Sequence, residues 1–132
     1  MSGISGPPTG AGRWRVLGRL IGADLNSTAD QIIPIIGSQK FLLTNIYCTN
    51  ASSTPLLAAG GIYTAAGKTG VIIVAAATLY TALSAPALCG ATTLTVSGAT
   101  TAFTVPNLFF SLTVAQGSPL TMDLYAVGLD LT

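Results

Sequence analysis

Thr121-Met122-Asp123-Leu124-Tyr125-Ala126-Val127-Gly128-Leu129 alternates strictly, with Met122, Leu124 and Ala126 on one side and Asp123, Tyr125 and Val127 on the other. A period of two separates those sets onto opposite faces of a β-strand, one apolar and one mixed. Upstream, short runs of β-branched and aromatic residues repeat the pattern: Thr92–Val96, Ala102–Val105 and Leu108–Val114. Ser97-Gly98, Pro106-Asn107 and Gln116-Gly117-Ser118-Pro119 separate them with turn chemistry. Gly60–Ala65 and Val71–Ala75 flank Ala66-Gly67-Lys68-Thr69-Gly70, which reads as a hairpin. Lys40–Cys48 is a further strand, with Phe41, Leu43, Asn45 and Tyr47 expected on one face and Leu42, Thr44, Ile46 and Cys48 on the other. Gln31–Ile36 contains Pro34, which lacks an amide proton and restricts the run to a sheet edge or bulge. Ala75–Leu83 is compatible with helix or strand, and Pro86 ends it either way.

Roughly eight short strands with turns every dozen or so residues predict an all-β fold, a single β-sandwich of the jelly-roll kind. The domain spans residues 13–132. Residues 1–12 (MSGISGPPTGAG) are rich in glycine and proline and carry no charged side chain. Such a stretch cannot bury enough surface to fold alone and reads as a flexible, extended arm, with Pro7 and Pro8 favouring polyproline geometry.

The residue inventory says what this chain is poor in. It has no histidine and no glutamate, and its nine formal charges are scattered: Arg13, Arg15, Arg19, Lys40, Lys68, Asp24, Asp30, Asp123 and Asp130. General acid–base and triad chemistry need side chains that titrate near neutral pH, so an enzyme is not expected. Neither cysteine, Cys48 or Cys89, lies in a CxxC pair, so no zinc site is expected. Both thiols read as free and buried. Gly67-Lys68-Thr69 ends like a phosphate-binding loop, but Ile62 stands where that motif needs glycine. Asp24 and Asp30 share a loop with Asn26 and Ser27, yet their spacing lacks the density of a calcium loop. No cofactor and no small-molecule substrate are expected.

Half of the residues are apolar, mean hydropathy is +0.68 and net charge is +1. A surface so weakly charged favours association. The longest apolar run, Val71–Ala77, is too short for a membrane-spanning helix, and the N-terminus lacks the apolar core of a signal peptide. Cytoplasmic synthesis and no membrane partner are the expectation. Three arginines fall within seven residues, Arg13, Arg15 and Arg19, opposite Trp14, Val16 and Leu20 if the segment is a regular strand. That footprint is weak for nucleic acid and suits carboxylates of a protein partner. Eight phenylalanines and tyrosines lie in or beside expected strands, where core or subunit interface is the ordinary role.

Asn26-Ser27-Thr28-Ala29-Asp30-Gln31, Asn50-Ala51-Ser52, Ala59-Gly60-Gly61-Ile62-Tyr63-Thr64, Leu112–Gly117 and Asp123–Gly128 together resemble small tailed-phage virion proteins. The likeness runs over residues 24–130 as a pattern of strands and turns. It implies a capsid decoration, or cement, protein: a non-enzymatic module on the exterior of the virion, commonly a homotrimer, binding across neighbouring major capsid subunits. In that setting Pro7, Pro8, Arg13, Trp14, Arg15 and Arg19 are the candidate capsid contacts. The alternative is a tail or head-fibre module that binds host glycan through Tyr63 or Tyr80.

Overall fold

The computed structural model describes residues 13–83, 88–95 and 101–132. Nine strands are present among them: β1 (Arg13–Asp24), β2 (Gln31–Pro34), β3 (Phe41–Thr49), β4 (Ala59–Ala65), β5 (Thr69–Val74), β6 (Cys89–Thr92), β7 (Ala102–Phe103), β8 (Asn107–Val114) and β9 (Thr121–Asp130). One sheet runs β1-β9-β3-β6, with β7 also on β3, and the other runs β2-β8-β4-β5. Every strand pairing is antiparallel. The described residues form an all-β sandwich whose sheets meet through the side chains of Leu17, Ile33, Phe41, Leu43, Ile46, Ile62, Leu108, Phe110 and Leu124, all buried. The expected arm, with Pro7 and Pro8, lies outside the described residues.

β9 is the central scaffold, and it keeps the expected alternation. Met122, Leu124, Ala126, Gly128 and Asp130 face inwards and are buried, while Asp123, Tyr125, Val127 and Leu129 are half-buried on the outer face. Its neighbours are less regular. In β3 the register on β9 shifts between Leu43 and Asn45. That bulge moves Asn45 and Tyr47 away from the face of Phe41 and Leu43, and places Ile46 and Cys48 inside instead.

β1 departs from its expected alternation for the same reason. Register shifts occur between Val16 and Gly18 and between Leu20 and Ala23. The first inserts Leu17 fully into the core. It also changes the parity of the residues beyond it, so that Arg19 emerges on the outer face with Trp14 and Val16 rather than beside Arg15. The three arginines therefore do not form one basic face.

β2 is an edge strand, as Pro34 requires, and it docks on β1 through a bridge between Gly18 and Ile35. At Gly18 the Pro34 carbonyl oxygen occupies the position a Cβ would take, so only glycine allows this approach. The hairpin β4–β5 turns at Gly67, Lys68 and Gly70, all with positive φ. Residues 75–83 form neither helix nor strand: Leu79 makes a single bridge to Ala59, and the Tyr80 hydroxyl donates to the Gly60 carbonyl at 2.9 Å.

Candidate interaction surface

The registers of the five-stranded sheet align its outward side chains into rows. Trp14 lies opposite Leu129, and Leu129 opposite Leu42. Val16 faces Val127, and Val127 faces Asn45. Arg19 faces Tyr125, which faces Tyr47, which faces Ala91. Trp14 is 62% exposed, an unusual position for the largest apolar side chain of the molecule. The other sheet carries one such row across all four of its strands: Ile32, Phe109, Tyr63 and Ile72. Ile32 and Ile72 at its two ends are about half exposed. Between them Phe109 is half-buried and Tyr63 buried, so this face exposes apolar side chains only at its two ends, on the side opposite Trp14 and Val16.

The residues singled out from the sequence separate on this framework. Trp14 and Arg19 are exposed on the five-stranded face. Among the described residues no carboxylate pairs with Arg19. Arg13 opens β1, and its side chain lies outside what the structure describes. Arg15 is engaged within the fold. Its Nη2 and Nε both lie 3.2 Å from Asp130 Oδ2, and its Nη1 and Nη2 donate to the carbonyls of Val16 at 2.9 Å and Ile36 at 2.6 Å. Those two carbonyls sit where β1 meets the segment that follows β2, so the guanidinium caps part of the sheet edge. Asp130 is also held by the Thr132 amide and the Ser38 hydroxyl, which, with Arg15, push its pKa down to about 2.

Asp123 stands on the same outer face as Arg19 but makes other contacts. It accepts from the Gly22 amide and from Asn50 Nδ2, each at 2.8 Å, and ties the β1 bulge to the loop after β3. Asp24 and Asp30 are likewise local staples: Asp24 accepts from the Asn26 amide and Asp30 from the Gly67 amide. The Gly67 amide bond lowers the Asp30 pKa.

An open groove of about 440 Å³ runs where the sheets join, lined by Val16, Leu17, Gly18, Arg19, Pro34 and Ile36. A smaller cleft of about 180 Å³ lies over Cys48, Tyr80 and Leu83. Its only titratable side chains are Cys48 and Tyr80, both driven towards their neutral forms by burial, and Cys48 reaches about 12. The thiols differ: Cys48 is buried as expected, whereas Cys89 is exposed, because it lies opposite the outward-facing Thr49. Tyr63 and Tyr80, the expected glycan contacts, are both buried, so neither ring face is available to stack on a sugar. Among the described residues no helix is long and apolar enough to cross a membrane.

Comparison with protein-family models, curated proteins and solved structures finds no match to this chain. The surface itself is therefore the ground for a functional reading. What sequence reasoning missed is the row Ile32, Phe109, Tyr63 and Ile72. Tyr63 and Ile72 share the β4–β5 hairpin, but Ile32 and Phe109 come from strands far from it along the chain, and only the register aligns all four.

Proposed function

We propose that this chain is a non-enzymatic structural protein of a phage particle, a decoration protein that binds across neighbouring major capsid subunits on the shell exterior. The observation that carries this reading is that exposed apolar side chains stand on both outer sides of the sandwich, Trp14 and Val16 on one and Ile32 and Ile72 on the other. A module with two such faces can bridge, packing one against its own kind and the other against a support, and burial of apolar area supplies the energy. The strand order favours a jelly roll. The first strands pair with the last, β1 with β9 and β2 with β8, as when one long antiparallel ribbon is rolled into two sheets. Jelly rolls are frequent in viral shells, which supports this reading by analogy of fold.

In this reading the four-stranded face with Ile32, Phe109 and Ile72 lies against the shell, and the arm with Pro7 and Pro8 reaches along it. The test is a cryo-EM reconstruction of the source particle together with co-sedimentation of purified protein on undecorated shells. Density for the chain on the shell and loss of binding in Ile32→Asp and Ile72→Asp variants are expected. Deleting residues 2–12 is expected to weaken attachment while leaving the fold intact. Absence of the chain from the particle would end this reading, and density at a tail or fibre tip would replace it with host recognition.

A further inference from the structure

We propose that the outer face of the five-stranded sheet docks on the same face of a second copy of this chain, forming an isologous pair in which Arg19 of each copy meets Asp123 of the other. The pairing deepens the assembly reading above by naming one of its partners. Its test uses purified protein without a particle, so the two can fail separately.

The face has the composition of an interface core. Trp14, Val16, Leu42, Val127 and Leu129 form a contiguous apolar field continued by Tyr125 and Tyr47. Tryptophan and tyrosine on a rigid sheet present large area with little rotamer entropy to lose. Within this field lie two charges of opposite sign, Arg19 and Asp123. Asp123 is two positions along β9 from Tyr125, the residue opposite Arg19. Strand geometry therefore puts the two backbones about 8 Å apart. They nevertheless do not pair, because the Asp123 carboxylate is turned to the Gly22 amide and Asn50.

A cation and an anion side by side, neither neutralised among the described residues, make the face self-complementary. A two-fold axis lying in the interface midway between them sets each over its opposite in the other copy. Packed sheets stand about 10 Å apart, a distance a guanidinium on its stem spans, and each Asp123 oxygen keeps a lone pair for it. An unrelated partner would have to carry the same two charges in the reciprocal places; a second copy carries them by symmetry.

Edge-to-edge extension is the competing way for β1 to recruit a copy, and the fold obstructs it. Arg15 occupies the Val16 carbonyl, and the Ile36 amide donates to the Leu17 carbonyl at 2.8 Å. That leaves the face. Its outline is about 20 Å by 20 Å, which is small against the ~800 Å² per partner of standard specific interfaces, so a reversible pair in the micromolar range is expected. A single face of this kind admits a pair; a three-fold ring would need two different patches.

The experiment is light scattering and sedimentation of the purified full chain over a concentration series. The expected mass at high concentration is twice 13.3 kDa. Arg19→Asp and Asp123→Arg, each alone, oppose like charges and should weaken the pair about tenfold or more. Mixed in equal amounts they restore opposite charges at both contacts, and association should return. Because Asp123→Arg also removes an acceptor from Gly22 and Asn50, Val16→Asp on the same face provides a second probe with circular dichroism as the check of fold. If Asp123→Arg fails to fold, monomeric Arg19→Asp and Val16→Asp still support the pairing. A wild-type chain that stays monomeric, a mass of three copies, unchanged association in folded Arg19→Asp and Val16→Asp, or folded charge variants that do not recombine would each overturn it.

Discussion

Arg15 closes on Asp130 across the β1–β9 pair, 3.2 Å from guanidinium to carboxylate, with Asp130 only 1% exposed and Arg15 24%. It is the one ion pair among the described residues. The Thr132 amide contributes most to depressing the Asp130 pKa, to about 2 from an ordinary 3.8, with the Ser38 hydroxyl and Arg15 adding to it. A carboxyl group whose folded pKa lies below its unfolded one contributes stability that is complete above 3.8 and lost as pH falls towards 2. The melting temperature should therefore drop through that window. Asp130→Asn should lower the melting temperature at neutral pH and flatten the acid limb, leaving only the smaller contribution of groups such as Asp30. Equal slopes for wild type and variant below about pH 4 would show that Asp130 is not the group responsible.

Gly128 sits in the central strand where a Cβ would run into the Leu42 carbonyl and approach the Leu17 side chain. Gly117 has a positive φ of 91°, with open space around its missing Cβ. The two glycines thus separate overpacking from backbone strain. Gly128→Ala should destabilise by about 3 kcal/mol. Gly117→Ala should cost about 1 kcal/mol. Denaturant titration measures both, and a Gly128→Ala loss no larger than that of Gly117→Ala would contradict the close approach.

The legibility of this fold in the sequence depends on how far strand periodicity runs unbroken. β9 is regular from end to end, so its inward and outward sets are readable residue by residue. The hairpin at Gly67–Gly70 and the edge position forced by Pro34 rest on local backbone chemistry and are equally plain. β1 and β3 defeat the same reading because a bulge changes the face of every later residue and leaves no mark in composition. Hence simple alternation places Arg19 beside Arg15, and Tyr47 beside Phe41, where the fold separates them. The candidate surface is least legible, since Trp14–Leu129–Leu42 and Ile32–Phe109–Tyr63–Ile72 exist only once the registers are known. Long-range pairing is the part of a β fold that one-dimensional pattern does not encode.

Tyr80 tests the irregular segment that joins the sheets. Its ring is buried, edge-on to Phe110 at 6.1 Å between centroids, and its hydroxyl donates to the Gly60 carbonyl. Tyr80→Phe keeps the ring and removes one buried hydrogen bond, which should cost about 1 kcal/mol. Tyr80→Ala also opens a cavity against Phe110 and should cost about 4 kcal/mol. Equal losses in the two variants, read from denaturant midpoints, would mean that the hydroxyl and not the ring holds residues 75–83 in place.

Cys48 and Cys89 lie on neighbouring strands but on opposite faces of the sheet, since Cys48 is opposite Gly90 and Cys89 opposite Thr49. Side chains pointing away from each other cannot close a disulfide without moving the backbone. Burial holds the Cys48 thiol protonated, with a pKa near 12, and the thiolate is the reactive form. Cys89 is exposed to solvent. Alkylation of the folded protein at about pH 8 should therefore add one adduct quickly, at Cys89, and a second only when the chain is unfolded by denaturant. Peptide mass mapping distinguishes the sites. Rapid double labelling without denaturant would show that the core around Cys48 opens readily. Two thiols that label only after reduction would show that β3 and β6 do not hold this register.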